Sequence, residues 1–299
     1  MITYDSCPNC GDKNISFILT AKDHTVSGEE FEIWECKTCT QRFTQNIPEA
    51  DKIGRYYQSQ NYISHSDTSK GFINNLYHRV RKRTLVQKRK LIQKATGKKT
   101  GNILDVGAGT GAFLNIMQQT GWAGTGIEPD ENARQKAAEL YHLDLKNAKN
   151  LYSLSPATFD AITLWHVLEH VHDLHHYIDQ LKKLLSPDGK LFIAVPNYTS
   201  GDEKIYHGSW AAYDVPRHLY HFSPLSMQKL LTSHGFKIEA MKPMWYDSVY
   251  VSMLSEQYKT GDSHPIRAFL NGMASNLEAI FDNKKCSSLI YIASANKPV

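Results

Sequence analysis

Apolar positions along this chain change their period from stretch to stretch, and the changes predict its elements. Phe17, Ile18, Leu19, Phe31, Ile33 and Trp34 fall in short runs rich in strand formers. Phe72, Leu76, Val80, Leu85, Leu91 and Ile92 then recur among basic residues with no Gly or Pro, which predicts one helix or two over Phe72 to Ala95, one face packed and the Arg and Lys side in water. From residue 102 strands and helices alternate. Ile103, Leu104 and Val106 read as a strand, and Phe113, Leu114, Ile116 and Met117 lie at helical spacing. A second strand follows at Gly124, then a helix over Glu131 to Tyr141 whose inner side is Ala133, Ala137, Ala138 and Leu140, with Asp130 or Asn132 as its cap. Leu143 to Ala148 is expected as a third strand with its exit loop, and Phe159 to Trp165 as a fourth. The amphipathic stretch Leu174 to Leu185 should stop at Ser186-Pro-Asp-Gly189, and Leu191 to Val195 is uniformly apolar, as a strand buried on both faces would be. A helix from Pro224 closed by Gly235, late strands at Lys237 to Tyr250 and Ser287 to Ser294, and a helix over Pro265 to Phe281 complete an α/β pattern.

At 299 residues the chain can bury one sizeable core and carry a small appendage. It shows no basic-then-apolar leader and no run long enough to cross a bilayer, so the expectation is a soluble, cytoplasmic protein with no membrane partner. The net charge of +4 is unevenly spread. Residues 79 to 99 hold ten Lys or Arg and no Asp or Glu, which leaves the rest of the chain about six negative. That segment could grip nucleic acid, but interleaved aromatics are nearly absent from it, and a solvated helix face is the plainer reading.

Cysteine usage is more specific. Cys7-Pro-Asn-Cys10 and Cys36-Lys-Thr-Cys39 are two knuckles, each able to present two sulfurs to one ion, and together they predict a tetrahedral zinc site. Some forty residues cannot bury enough surface to fold unaided, so the ion would supply the missing stability. Four thiolates leave no open position, which makes this zinc structural. Cys286 is expected to be a small core residue in the last strand.

The chemistry centres on Asn102-Ile-Leu-Asp-Val-Gly-Ala-Gly-Thr-Gly-Ala-Phe113. A strand, a turn with Gly107, Gly109 and Gly111, and a helix would let a ligand lie against bare backbone. Glu128, at the end of the next strand, is placed to accept hydrogen bonds from ribose hydroxyls. The loop also fits the dinucleotide pattern, with Gly107, Gly109 and Ala112 as its small positions. Asp105 inside the strand, able to bind loop amides or a cation, favours a different ligand. Together with Phe159-Asp160 and the Leu168-Glu-His170 block, these motifs resemble those of class I S-adenosylmethionine (SAM)-dependent methyltransferases, over Ile103 to Asn197 and more weakly over Trp210 to Phe236.

The resemblance implies a Rossmann-like, seven-stranded, mostly parallel sheet with one reversed edge strand and helices on both faces. It also implies a SAM site at Asp105, Gly107, Ala108, Gly109, Gly111, Glu128, Pro129, Asn147, Trp165 and His166. The domains are then a zinc ribbon over 1–45, a tyrosine-rich linker and basic helix over 46–100, and the methyltransferase domain over 101–299. In similar enzymes with a ribbon, a Tyr-Tyr segment before the fold closes over the cofactor, so Tyr56, Tyr57 and Tyr62 are lid candidates; packing on the main domain is the alternative. His166, Glu169 and His170, at i, i+3 and i+4, would share a helical face and could move a proton or hold a divalent ion. Related quinone-pathway O-methyltransferases carry Glu in place of His166. The string Trp210 to Phe222 is dense in Tyr213, Asp214, Arg217, His218, Tyr220 and His221, and His218 is the first candidate for a base or substrate anchor, followed by His221 and Arg217, with His170 as a third imidazole. The expected activity is methyl transfer to a small molecule such as a sugar nucleotide or another biosynthetic intermediate. The competing readings are an RNA or ribosomal-component methyltransferase and a SAM-binding protein without catalysis.

Overall fold

The computed structural model describes residues 1–58 and 72–296, the side chains of 72–81 excepted. Tyr62, and the side chains of Phe72, Leu76 and Val80, therefore lie outside the described residues. Three strands come first: β1 (Ile15–Lys22), β2 (Glu30–Cys36) and β3 (Arg42–Thr44). In β2, Phe31 and Ile33 are buried between exposed Glu30 and Glu32, the period of two that a half-covered sheet requires. The basic segment is one helix, α1 (Phe72–Thr96). The glycine-loop unit follows as β4 (Asn102–Val106), α2 (Ala112–Gln118), β5 (Ala123–Ile127) and α3 (Glu131–Tyr141). The cap of α3 is Asp130, whose side chain accepts from Ala133 N.

Next are β6 (Phe159–Trp165), α4 (Leu174–Leu184), β7 (Leu185–Pro196), α5 (Gly201–Tyr206) and the two-residue β8 (Tyr220–His221). The chain ends with α6 (Pro224–Ser233), β9 (Phe236–Pro243), α7 (Asp247–Thr260), α8 (Pro265–Phe281) and β10 (Ser288–Ala295). The main sheet has the order β5-β4-β6-β7-β10-β9, and β4 pairs in parallel with both β5 and β6. The second sheet runs β1-β2-β3-β8, so the short strand carrying His221 joins the sheet of the three N-terminal strands.

Four expectations change. The main sheet has six strands rather than seven among the described residues, because Leu143 to Ala148 contributes a single parallel bridge, Ile127 to Lys146, where a third strand was expected. β7 begins at Leu185 and runs through Ser186-Pro-Asp-Gly189, with Pro187 and Asp188 exposed. The first late strand stops at Pro243, and Tyr250 belongs to α7, which periodicity did not reveal. Cys286 is fully buried but precedes β10.

By contacts the chain forms two compact units that interleave along the sequence. The first comprises the described part of Met1–Tyr62 with His166–Tyr177 and Ala194–Tyr291; the second comprises the described part of Ile63–Trp165 with Ile178–Ile193 and the last residues. These limits do not follow positions 45 and 100. The first unit has a core in which Ala21, Phe31 and Ile33 of the ribbon pack with Tyr56, Trp210, Tyr213 and Val215. In the second, Ile103, Leu104, Ile162 and Leu164 are fully buried.

Candidate functional site

In the second unit the end of β4 opens into the glycine loop. Gly107, Gly109 and Gly111 have φ of +72°, +56° and +78°, a region other residues enter only with strain. Gly111 is needed twice over, since a Cβ there would stand 2.6 Å from Leu143 Cδ1. A Cβ on Gly109 would meet nothing within 4 Å, so that position faces open space. Its N–H donates to Glu128 Oε2 at 2.7 Å, while Glu128 Oε1 accepts from Asp130 N at 2.9 Å. The carboxylate predicted to read a ribose is thus held at the loop. Asp105 is buried, and Thr163 Oγ1 donates to its Oδ1 at 2.7 Å. Burial raises its carboxyl to about 7 even though Thr163 and Lys88 pull the other way.

Lys88, one of the ten basic residues in the run, places Nζ 4.1 Å from the centre of the Trp165 ring. The pattern along that helix predicts a solvated face, and nothing in the run of ten distinguishes this lysine. Trp165 also packs edge-on to Phe113 at 5.5 Å, and its buried Nε1 has no hydrogen-bond partner among the described residues. Open backbone, an orphaned indole N–H and a buried carboxyl without a full counter-charge suit a ligand that carries both a cation and hydrogen-bond acceptors. SAM, with its sulfonium, ammonium and carboxylate, has that composition.

The first unit carries a second constellation. One atom each from Glu169, His170 and His218 lies within 4.8 Å of the others. His170 Nδ1 is 3.0 Å from Arg217 O and His218 Nδ1 is 2.8 Å from Ala212 O. A carbonyl only accepts, so each Nδ1 is the protonated nitrogen and each Nε2 is the position left for proton exchange or a metal. The two rings meet edge to face at 4.6 Å. Burial, and then the neighbouring His218, pull His170 down to about 4, which leaves it neutral at physiological pH. Tyr57 Oη lies 3.1 Å from His170 Nδ1.

His166 plays a different part. It precedes the short 3-10 turn at Leu168–His170, has φ +58°, and does not share a helical face with Glu169 and His170. Its Nε2 is 3.1 Å from Asp247 Oδ2 and its Nδ1 3.4 Å from Glu169 Oε1. Burial would lower it, but the two carboxylates outweigh that and bring it to about 9. An imidazolium at neutral pH is neither a base nor a metal ligand, and His218 replaces it in the three-residue group. Burial would raise Glu169, yet His166 first, with His218 and His170, holds its carboxyl below the ordinary range.

The four thiols of the knuckles converge as their spacing predicted. Cys7 Sγ is 3.5 Å from Cys39 Sγ and Cys10 Sγ 3.6 Å from Cys36 Sγ. Zinc–sulfur bonds of about 2.3 Å give a tetrahedral edge of roughly 3.8 Å, so the cradle fits zinc with small adjustment.

Residues 77–241 match a family model described as a methyltransferase domain. The chain belongs to that family. The match bears out the resemblance to class I SAM-dependent methyltransferases that the glycine loop and Glu128 carry. Among relatives, the ubiquinone biosynthesis O-methyltransferase of Haemophilus ducreyi is 37% identical over 117 residues, which are 36% of this chain and 50% of that protein. The mitochondrial enzyme of the same name from Bos taurus is 32% identical over 163 residues, 48% of this chain and 44% of the other. The chain thus spans about half the length of the curated relatives it matches. Among solved structures, phosphoethanolamine N-methyltransferase 2 of Haemonchus contortus in complex with S-adenosyl-L-methionine is 20% identical, with 71% of this chain and 53% of that chain covered and a TM-score of 0.49.

Other predicted positions of this methyltransferase domain take quieter roles. Ala108 N donates to Ile127 O at 2.9 Å within the loop. Pro129 is exposed beside Glu128, and its carbonyl accepts from Arg134. Asn147 is exposed and caps a 3-10 turn by accepting from Lys149 N. His221 is outside the imidazole group: its Nε2 lies 3.1 Å from Thr44 Oγ1, and burial, with His218 and Arg42 nearby, holds it well below its ordinary pKa. Arg217 is buried and donates to Asp23, Asp214, Thr25 and Tyr56 O, so it serves as an internal clamp. The N-terminus of α6 is closed by a capping box of Ser223 with Ser226. Tyr56 is a core residue that donates to Glu29. Thr163 and Asp247 were missed because each acts on a partner distant in sequence.

Proposed function

We propose that this chain is an enzyme that methylates a hydroxyl oxygen of a small-molecule acceptor, with SAM as donor. The observation that carries the reading is the pair of imidazoles whose Nδ1 atoms are pinned to Ala212 and Arg217 carbonyls, leaving Nε2 of His218 and His170 as the proton-exchanging positions beside Glu169. The relatives named for O-methylation support oxygen as the atom modified. Bound at Asp105, Gly107, Gly109, Gly111 and Glu128, SAM supplies a methyl carbon already activated by its sulfonium. Asp105 would offer its carboxyl to the donor's cation, Glu128 would accept from the sugar hydroxyls, and Trp165 would offer its indole N–H. In the first unit, His218 Nε2 is the position able to take a hydroxyl proton, and His170, neutral and edge-on to that ring, holds it in place.

Cys7, Cys10, Cys36 and Cys39 hold a structural zinc in this reading. The same reading keeps the ribbon over 1–45, the connector over 46–100 and the transferase domain over 101–299 as sequence regions.

Incubating the purified chain with methyl-labelled SAM, fractionated metabolites and, separately, RNA tests the proposal. Label is expected in a small-molecule fraction, and His218→Ala should lower kcat by about 100-fold or more while leaving the Kd for SAM nearly unchanged. Label appearing only in RNA, or an unaltered kcat in the variant, would overturn the substrate class or the base, respectively.

A further inference from the structure

Helix α8 is packed inside out. The residues it buries are small or polar: Ala268, Gly272, Ser275, Asn276 and Ala279. The contact with α7 is close enough that a Cβ on Gly272 would stand 2.8 Å from Val249 Cα. Its large apolar side chains point the other way. Ile266, Leu270, Met273, Leu277 and Ile280, flanked by Phe269 and Phe281, are between 40% and 91% exposed. An ordinary surface helix buries such residues and exposes polar ones. The two charged residues of the helix are turned back onto their own unit: Arg267 Nε lies 3.3 Å from Glu256 Oε1, and Glu278 accepts from Lys204 Nζ at 2.7 Å.

We propose that this face is a homodimer interface, in which α8 packs against α8 of a second copy of this chain about a two-fold axis. Three features favour that occupant. The positions 266, 270, 273, 277 and 280 follow the alternating four-and-three spacing that a facing helix takes up as knobs into holes. The only two charged residues of the helix, Arg267 and Glu278, are both paired within their own unit, as suits self-association and not the selection of a charged partner; an interfacial membrane helix would instead line its polar flank with Lys and Arg. Seven large side chains at this exposure offer on the order of 800 Å², the area that each partner of a stable interface commits, and more than a lone monomer ordinarily leaves bare.

Light scattering on the full, zinc-loaded chain at tens of micromolar tests this. The expected mass is twice the 34.0 kDa of one chain. Leu270→Glu with Leu277→Glu, both exposed and so tolerated by the fold, should return it to one chain mass with an unchanged far-ultraviolet circular dichroism spectrum. Met273→Cys, at the middle of the helix and hence near the axis, should form a covalent dimer on oxidation that the parent chain does not form. A monomeric parent chain, or a dimer that survives the double substitution, would overturn the proposal. So would a monomeric parent that floats with anionic phospholipid vesicles and loses that binding in the double variant, because the face would then belong to lipid.

Discussion

Asp105 and His166 show how a single side chain takes its chemistry from what surrounds it. Burial moves Asp105 up to about 7, so near neutrality a fraction of the molecules hold this carboxyl protonated. A cationic ligand would favour the charged form and lower that pKa, so binding should release protons. Calorimetry of SAM binding at about pH 7 in two buffers of different ionisation heat is expected to give different apparent enthalpies, and Asp105→Asn should remove the difference. Equal heats for the unaltered chain would show that the cation does not reach this carboxyl. His166 moves to about 9 between two carboxylates while His170, four residues on, falls to about 4. The residue types were visible in sequence, but the opposite shifts were not, since Asp247, which helps to raise His166, and His218, which with burial lowers His170, come from distant segments.

At the scale of elements, the loop that carries His218 is held by a buried clamp. Arg217 donates to Asp23 in the β1–β2 turn at 3.0 Å and to Asp214 at 2.7 Å. Burial would raise Asp23, but the Ser27 amide and then Arg217 hold its carboxyl far below the usual range. Removing the guanidinium leaves two carboxylates with no counter-charge, so Arg217→Met should cost about 3–5 kcal/mol of stability by urea unfolding. A loss under about 1 kcal/mol would mean that solvent replaces the arginine there. Elements defined by local pattern were legible: the α3 boundaries and the Asp130 cap are as read, and α8 spans Pro265–Phe281 as expected. Others were not. Leu143 and Leu145 are buried like strand residues, yet the segment forms one bridge only, and α7 hides behind Ser248, Ser252 and Ser255, a buried face made of serines that no hydrophobic period could reveal.

For the whole molecule, the ribbon is part of a unit that also contains His170 and His218. Arg42 of β3 donates to Glu203 at 3.0 Å and to Tyr213 at 2.7 Å, and ribbon residues share one core with Trp210 and Val215. Removing zinc with a chelator should therefore unfold the ribbon and abolish methyl transfer together, while the Kd for SAM, whose proposed contacts Asp105, Gly109 and Glu128 lie in the other unit, should change little. Chelation that weakens SAM binding as strongly as it weakens turnover would contradict this separation. Among the described residues no helix is long and apolar enough to cross a membrane. What the sequence alone determined were the parts whose geometry closes within a few residues: the cysteine knuckles, the strand-glycine-helix loop and the Asp130 cap, where spacing and backbone sterics suffice. Which imidazole could serve as a base, which is locked as a cation and which is a packing residue was decided only in three dimensions, because a ring's tautomer and charge depend on carbonyls, carboxylates and burial supplied by residues far along the chain.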